Sequence, residues 1–359
     1  MTEETRVSKD GLVEFCVRVF EKLGVPPPDA RVSTDVLVLA DLRNKGSHGV
    51  ARLPRYVDGL RKGLMKPTNS AKVVHKTETS ALIDGGKSLG QVVGHMGMQL
   101  AIEMAKAHDM GFVTVRNSNH YGIAGYYSLM AAEEGCVGLS MTNAAPLVVP
   151  TFGRDAIFGT NPISISAPAE GDPFLLDMAT SVVPRGKLEV HDREGKPLPP
   201  GWAVDSRGKG TTSPKEVLQN LATRAGGGIL PLGGEGELYS GHKGYGLAMA
   251  VEVLCALLSG SPSALGTYVD ESNANISHFF GAISVESFRP LREFKRDMQS
   301  LMDSVRGSPK ADGCDHIYVH GEKGFSAQRD RLKHGIPLGP KVVESLKKIG
   351  GEFGVSWVA

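Results

Sequence analysis

The pattern of apolar residues changes near Lys72, where a helical repeat gives way to alternating strands and helices. Before this point apolar side chains recur at helical spacing and predict helices at about residues 8–23, 29–42 and 54–62. Beyond Lys72, short apolar runs of strand length alternate with longer helical segments. Such alternation is typical of an α/β layer, so a helical start leads into a sheet.

Helices return near the end of the chain, after Pro290. Residues 186–236 are rich in glycine, proline and charge, and predict a long surface excursion. Beyond Lys72 we predict strands at residues 81–84, 112–115, 137–142, 163–167, 174–177, 278–285 and 316–319, and helices at 90–108, 123–134, 244–258, 291–305 and 341–349.

Composition argues against several classes of partner. Hydrophobic residues make up 41% and charged residues 22% of the chain, as in globular proteins. The formal net charge is +1 and no basic run occurs, so no nucleic-acid partner is expected. The longest apolar stretch, residues 247–258, contains Glu252 and is too short for a bilayer, so no membrane association is expected.

The cysteines and the first residues indicate a cytoplasmic protein. Four cysteines are widely dispersed and form no C-x-x-C pair, so neither a zinc site nor a disulfide framework is expected. The acidic start, residues 1–4, is followed by no apolar signal core.

Familiar nucleotide-binding and hydrolase motifs are absent from the sequence. No G-x-G-x-x-G follows a predicted strand, because residues 234–236 and 244–246 both lack the third glycine. No P-loop, H-E-x-x-H or G-x-S-x-G occurs, and no carboxylate cluster has metal-ligand spacing. We therefore expect no Rossmann dinucleotide site and no metal site.

Residues 47–52 carry the most suggestive chemistry. The imidazole of His48 could exchange a proton with a hydroxyl or ketone, and the guanidinium of Arg52 could bind a carboxylate through two hydrogen bonds. In a helix capped by Ser47, both side chains would share one face and the helix field would lower the pKa of His48. Pro54 favours the alternative of a loop leading into a helix that starts near it. An ordinary helix-start histidine beside a solvated arginine also fits the pattern.

Five further polar turns lie beside predicted strands or at the start of predicted helices. The first could hold an anion or a polar ring, the second fixes a hydroxyl and an amide, the third allows a cofactor close approach, and the last two suit a phosphate. Each taken singly also fits an ordinary polar, capping or flexible turn. They are residues 117–122, 158–162, 176–181, 242–246 and 320–324.

In this order and at these distances, the motifs resemble the malate/L-lactate dehydrogenase family, which lacks a Rossmann fold. The similarity is greatest to its archaeal-type malate dehydrogenases, and the family also includes sulfolactate and ureidoglycolate dehydrogenases, diketogulonate reductase and piperideine-2-carboxylate reductase. The resemblance implies an α/β, sulfolactate-dehydrogenase-like fold, with a central mixed sheet flanked by helices from both termini. It divides the chain into a helical part at residues 1–72, a cofactor-binding α/β domain at 73–289 and a mainly helical part at 290–359 that returns to the first.

The resemblance also implies an activity and an assembly. Members of the family transfer hydride between NADH or NADPH and a 2-oxo acid or cyclic imino acid. They are typically homodimers with the active site near the subunit boundary. We therefore expect NAD or NADP as the cofactor, a small-molecule acid as the substrate and a second copy of the chain as the partner.

Roles for individual residues follow from the same resemblance. His48 matches the proton donor, with Ser47 beside it and Arg52 on the substrate carboxylate. His120 matches a second histidine that some members use as proton acceptor; we favour His48 because Arg52 is near it in sequence. Thr160 would contact the substrate. The residues implied for the cofactor are His120, Tyr121, Gly122, Ile123, Ala124, Asp177, Met178, Ala179, Lys243, Gly244, Gly321, Glu322 and Lys323.

One difference from the family pattern bears on which class of substrate is expected. Imino-acid reductases of the family have a catalytic aspartate just after the glycine that matches Gly186, where this chain has Lys187. We therefore predict a 2-hydroxy-acid dehydrogenase, with malate/oxaloacetate first. Lactate, sulfolactate, ureidoglycolate, an imino acid or a non-catalytic metabolite-binding role are the alternatives. The sequence names no second cation for a dicarboxylate, and Arg116, Arg154 and Arg185 are open candidates for an NADP 2′-phosphate.

Overall fold

A computed structural model describes residues 4–270 and 272–357. The α-helices are α1 (Lys9–Lys22), α2 (Pro27–Leu42), α3 (Leu53–Arg61), α4 (Gly90–His108), α5 (Ala124–Glu133), α6 (Arg185–Arg193), α7 (Pro214–Thr223), α8 (Gly241–Glu252), α9 (Leu291–Gly307), α10 (Glu322–His334) and α11 (Pro340–Phe353). The strands are β1 (Thr5–Val7), β2 (Lys72–Lys76), β3 (Ser80–Asp84), β4 (Met110–Ser118), β5 (Cys136–Thr142), β6 (Ile163–Ala167), β7 (Phe174–Met178), β8 (Ala203–Val204), β9 (Gly228–Ile229), β10 (Ile276–Ser284) and β11 (Ile336–Leu338).

A seven-stranded mixed sheet forms the centre of the fold, in the order β2-β3-β4-β10-β5-β6-β7. β3 and β4 pair in parallel, and the other neighbours pair antiparallel. α4 packs against the middle of the sheet, where a Cβ on Gly97 would come within 2.7 Å of the Phe280 ring. The sheet's central strand, β10, is therefore tightly covered by a helix.

The two ends of the chain share one hydrophobic core. Its buried residues come from α1, α2 and α3 and also from β11 and α11, with Leu12, Phe20 and Leu346 fully buried. β1 pairs antiparallel with β11 and ties the ends together. The expected mixed sheet flanked by helices from both termini is confirmed.

Two sequence predictions about local structure are wrong. Residues 186–236 are not a plain excursion, because α6, β8, α7 and β9 enclose a small core around Leu188, Val217 and Ile229. The apolar spacing inside the two short helices is hidden by surrounding glycine, proline and charge. Residues 316–319 form no strand; there Val319 packs with Met302 as irregular chain.

Over residues 4–270 and 272–357, no helix is both long and apolar enough to cross a membrane.

Candidate active site

The turn that carries His48 and Arg52 is held by a buried carboxylate at the end of α2. Two short 3₁₀ turns, Gly46–His48 and Val50–Arg52, lead directly into α3, so the loop alternative is the one observed. The Asp41 carboxylate accepts a hydrogen bond from the Val50 backbone N–H at 2.7 Å. A Cβ on Gly49 would overlap that carboxylate, so only glycine fits there.

His48 is a neutral imidazole at ordinary pH. Burial, and then the positive charge of Arg52, lower its pKa to about 4. The expected direction of this pKa shift is correct, but burial causes it rather than a helix field. Its Nδ1 lies 3.0 Å from the Ser47 hydroxyl, which therefore bonds the ring instead of capping a helix.

Arg52 is anchored at one end of its guanidinium. Its Nε donates to the Ser47 carbonyl at 2.7 Å. The two terminal nitrogens of the group stay available for a second acceptor. Ser47 therefore contacts His48 through its hydroxyl and Arg52 through its backbone.

His120 lies beside His48 although the two are far apart in sequence. It sits in the turn between β4 and α5, and the two rings stack with centroids 5.7 Å apart. The Tyr56 hydroxyl is 2.7 Å from its Nδ1. Burial, and then the charge of Arg55, lower the pKa of His120 well below its usual value.

A cavity of about 440 Å³ opens in front of the two histidines; we call it the histidine cavity. Seven residues predicted from the sequence line it: Ser47, His48, Arg52, His120, Tyr121, Gly122 and Thr160. The lining residues that carry the further charges and hydroxyls are Arg55, Arg185, Glu189 and Tyr268.

These four residues had no predicted part in substrate binding. Arg55 could have been found, because it follows Arg52 by three residues and shares its face at the start of α3. Arg185 and Glu189 reach the cavity from α6, and Tyr268 from the turn after a short 3₁₀ helix, Ala264–Gly266. No local pattern could place those last two segments.

A second cavity of about 460 Å³ lies next to the first; we call it the aspartate cavity. Its lining includes Arg43, Lys45, Asp177, Met178, His320, Gly321 and Lys323. The Asp177 carboxylate accepts from the Lys45 ammonium at 2.6 Å. The Lys45 carbonyl accepts from the His48 backbone N–H at 2.9 Å, which connects the linings of the two cavities.

The aspartate cavity has the features of an anion site. Gly321, with φ +95°, lies at the first turn of α10, and a Cβ there would come within 3.0 Å of Leu175. Helix N-termini bind phosphate through backbone N–H groups. The Arg43 guanidinium is buried, and among the described residues its Nη1 has no hydrogen-bond partner. Two adjoining cavities with these donors fit an elongated dinucleotide that carries a pyrophosphate.

Several residues implied for the cofactor lie elsewhere. Ile123 and Ala124 are buried in the core beneath the sheet. Tyr121 lines the histidine cavity, yet its ring stacks on His278 at 4.5 Å and its hydroxyl is 3.1 Å from the Ser140 hydroxyl.

The Glu322 carboxylate already forms hydrogen bonds with neighbouring protein groups. Although partial burial alone would raise its pKa, hydrogen bonds from the Arg306 guanidinium, the Val319 backbone N–H and His316 lower it. Ala179 follows β7 and does not line either cavity.

Lys243 and Gly244 begin α8 outside both cavities. Gly244 is packed against the Leu232 backbone and the Lys243 side chain is exposed. Their proposed cofactor contacts stay predictions.

Across residues 4–270 and 272–357, no group of three or more histidine, cysteine or carboxylate side chains is arranged to hold a metal ion.

Comparison with known proteins agrees with this geometry. The malate/L-lactate dehydrogenase family model matches residues 7–347. A malate dehydrogenase from Pyrococcus abyssi is 51% identical over 98% of this chain and 95% of its own. An L-sulfolactate dehydrogenase from Methanocaldococcus jannaschii is 38% identical over 96% of each chain.

Solved structures of similar proteins have the same fold and belong to enzymes of the same kind. The malate dehydrogenase of Entamoeba histolytica superposes with a TM-score of 0.93 at 38% identity, covering 99% of both chains. That of Pyrococcus horikoshii gives 0.91 at 48% identity, covering 100% of this chain and 99% of the other. The predicted family is confirmed: this chain belongs to the malate/L-lactate dehydrogenase family and is an oxidoreductase that acts on hydroxy acids.

Proposed function

We propose that this enzyme interconverts malate and oxaloacetate with NAD(H) or NADP(H) in the histidine cavity. The observation that carries the proposal is the charge of the cavity lining. Three arginines, Arg52, Arg55 and Arg185, face one carboxylate, Glu189, which leaves a net charge of +2 while both histidines are neutral. A dicarboxylate with two negative charges balances that lining, whereas a monocarboxylate leaves one positive charge without a counterion.

The relatives support an acid with two charged groups. The two relatives described above are a malate dehydrogenase and an L-sulfolactate dehydrogenase. Malate carries two carboxylates, and sulfolactate carries a carboxylate and a sulfonate. Sulfolactate is therefore the second candidate, favoured by the same charge balance. Lys187 is exposed and does not line the cavity, which disfavours the aspartate-dependent chemistry of imino-acid reductases.

Four residues of the cavity lining have separate roles in this proposal. Arg52 binds the carboxylate next to the reacting carbon, because it lies beside His48. Arg185, at the start of α6, has its Nε paired with Glu189 at 2.9 Å and binds the distal acid group through its terminal nitrogens. His48 takes the hydroxyl proton in oxidation and returns it in reduction, which contributes about 10²–10⁴-fold to the rate. Thr160 contacts the substrate from the cavity wall.

A bound nicotinamide cofactor would supply the hydride acceptor for oxidation of the hydroxyl carbon and the hydride donor for reduction. We propose that the backbone at Tyr121 and Gly122 borders the nicotinamide, and that Arg43, Asp177, Met178, Gly321 and Lys323 hold the other end in the aspartate cavity. The choice between NAD and NADP is made in that cavity.

None of the three arginines considered for a 2′-phosphate lies there. Arg116 pairs with Asp84 at 3.2 Å, and Arg154 pairs with Asp155 at 3.4 Å. Arg185 faces the histidine cavity.

We also propose that the enzyme is a homodimer. Between residues 247 and 269 the sequence contains one charged residue, Glu252, and that residue is buried. Large apolar side chains along this segment are exposed, and such surface commonly marks an interface with a second copy. They are Leu247, Met249, Val253, Leu257, Leu258, Leu265 and Val269.

The substrate proposal is tested with a variant of the distal cation. Purified enzyme is assayed at 340 nm with oxaloacetate, 3-sulfopyruvate and pyruvate, each with NADH and with NADPH. Wild-type kcat/KM should be highest for oxaloacetate. Arg185→Gln should lower it about tenfold or more for oxaloacetate and change it little for pyruvate, because one charge-assisted hydrogen bond is lost.

Arg193→Gln, at the far end of α6 and outside the cavity, is the matched control and should behave as wild type. A higher wild-type kcat/KM for pyruvate than for oxaloacetate would contradict the malate proposal. An equal loss of kcat/KM for both substrates in Arg185→Gln would contradict the role given to Arg185.

A further inference from the structure

The Nδ1 atom of His120 faces two hydrogen-bond donors. The backbone N–H of Gly122 donates to it at 3.3 Å, and the Tyr56 hydroxyl lies 2.7 Å away. A backbone N–H can only donate, so Nδ1 must present its lone pair. The Tyr56 hydroxyl must then also act as a donor.

Tyr56 keeps the proton that this hydrogen bond requires. Its side chain is fully buried in the helical core, and burial raises the pKa of the phenol above its usual value. The neighbouring Gln91 is also fully buried and lowers the pKa of the phenol less than burial raises it. The hydroxyl is therefore protonated at any pH at which the protein works.

The surroundings also keep His120 neutral. After burial, the groups that lower its pKa are Arg55 in α3, His48 and Arg52 in the turn before it, and His278 in β10. A neutral imidazole with its lone pair on Nδ1 carries its proton on Nε2. Among the described residues, Nε2 has no protein partner and is not sealed from solvent, so it is available to the cavity.

His48 is held differently. Its Nδ1 contacts the Ser47 hydroxyl, which can donate or accept, so either tautomer of His48 is satisfied. The Nε2 of His48 can therefore present a lone pair to a substrate hydroxyl. His120 in its fixed tautomer cannot do so at Nε2.

We propose that the two histidines have separate tasks, with His48 as the sole proton carrier and the Nε2–H of His120 as a fixed hydrogen-bond donor to a substrate oxygen. Tyr56 is the positioning residue that fixes the His120 tautomer. In oxidation the hydroxyl proton passes to His48 while His120 keeps its own. This assignment rests on the proposed function only in placing substrate in the histidine cavity.

The first test reads the tautomer without any turnover. Protein labelled with ¹⁵N-histidine, free of cofactor and substrate, is examined by NMR, and the His120 signals are identified by their loss in His120→Gln. We expect Nε2 to be protonated and Nδ1 to be unprotonated. In Tyr56→Phe one donor to Nδ1 is removed, and the signals should shift toward a mixture of tautomers. A protonated Nδ1 in wild type would overturn the proposal.

The second test separates donor from proton carrier. Glutamine offers an amide N–H in place of the Nε2–H of histidine and does not titrate. His120→Gln should lose about tenfold or less in kcat, the worth of one imperfect hydrogen bond. His48→Gln should lose about 10²–10⁴-fold, because proton transfer is gone.

Two variants at position 120 are compared so that loss of the hydrogen-bond donor can be distinguished from misfolding. His120→Ala should lose clearly more than His120→Gln, since it removes the donor as well. A His120→Gln loss as large as that of His48→Gln would overturn the division of tasks. If wild type turned over no hydroxy acid, the proposed function would fail, while the NMR result would still decide the tautomer.

Discussion

At the scale of single residues, the site depends on a guanidinium held by one nitrogen. The Nε of Arg52 donates to the Ser47 carbonyl, and this residue lines the cavity with its two terminal nitrogens available to an acid. Lysine has the same charge but no planar fork, so it cannot keep the bond to Ser47 and also offer two parallel N–H groups to a carboxylate. The geometry of this residue is therefore more important than its charge.

Arg52→Lys should accordingly raise KM for oxaloacetate about tenfold or more, with a smaller change in kcat. Steady-state kinetics at fixed NADH or NADPH measure both constants. The control is Arg18→Lys, an exposed arginine of α1 paired with Glu14, which should leave both constants unchanged. An unaltered KM in Arg52→Lys would show that another cation binds the reacting carboxylate.

The residues found from sequence and those missed differ in a physical way. His48 and Arg52 lie four positions apart, so local spacing alone brought their chemistry together. Arg185 and Glu189 reach the cavity only because α6 packs on its far side. The pairing of Tyr56 with His120 likewise joins α3 to the turn after β4, which spacing along the chain cannot reveal.

At the scale of elements, helix ends were predictable from local residues, whereas the 3₁₀ geometry of the turn between α2 and α3 was not. Ser8 caps α1 at the predicted start of this helix, since its hydroxyl accepts from the Gly11 backbone N–H at 3.1 Å. The two 3₁₀ turns before α3 have no such local signal. They depend on Asp41, a carboxylate whose pKa burial raises to about 7, filling the space where Gly49 has no side chain.

Gly49→Ala should therefore disturb the turn that carries His48 and Arg52. The new methyl group would overlap the Asp41 carboxylate, and overpacking of this kind costs about 1–3 kcal/mol. We expect kcat/KM to fall at least tenfold and the thermal midpoint to decrease. Gly46→Ala is the matched control in the same turn, because its Cβ would meet Asp41 at an ordinary 3.7 Å. Equal behaviour of the two variants would contradict this account.

At the scale of the whole molecule, the arrangement of sheet and terminal helices followed from the family resemblance rather than from periodicity. Periodicity supplied helices at both ends and strands between them, but not the order of seven strands. Nor could it show that β1 and β11 join the two ends of the chain. Strand order depends on contacts between distant segments, which no local pattern encodes.

In the proposed homodimer, the exposed apolar segment, residues 247–269, would connect the interface to the site. Tyr268, whose hydroxyl lies 2.5 Å from the Arg55 guanidinium in the histidine cavity, belongs to this segment. A second copy packed on Leu265 and Val269 would restrain Tyr268 from both sides of the chain. Dimerisation should then keep Arg55 in place. Loss of the interface should therefore lower kcat/KM as well as the sedimenting mass.

Leu257→Lys places a charge where a 61% exposed leucine would meet the partner. Sedimentation velocity should give wild type about twice the 38.2 kDa of one chain and the variant a single chain. The variant should also show a reduced kcat/KM. Leu301→Lys changes an equally exposed leucine, 59%, on α9 and outside the segment, and should remain dimeric and active. A wild type that sediments as one chain would contradict the homodimer, and a fully active single-chain variant would separate assembly from the positioning of Arg55.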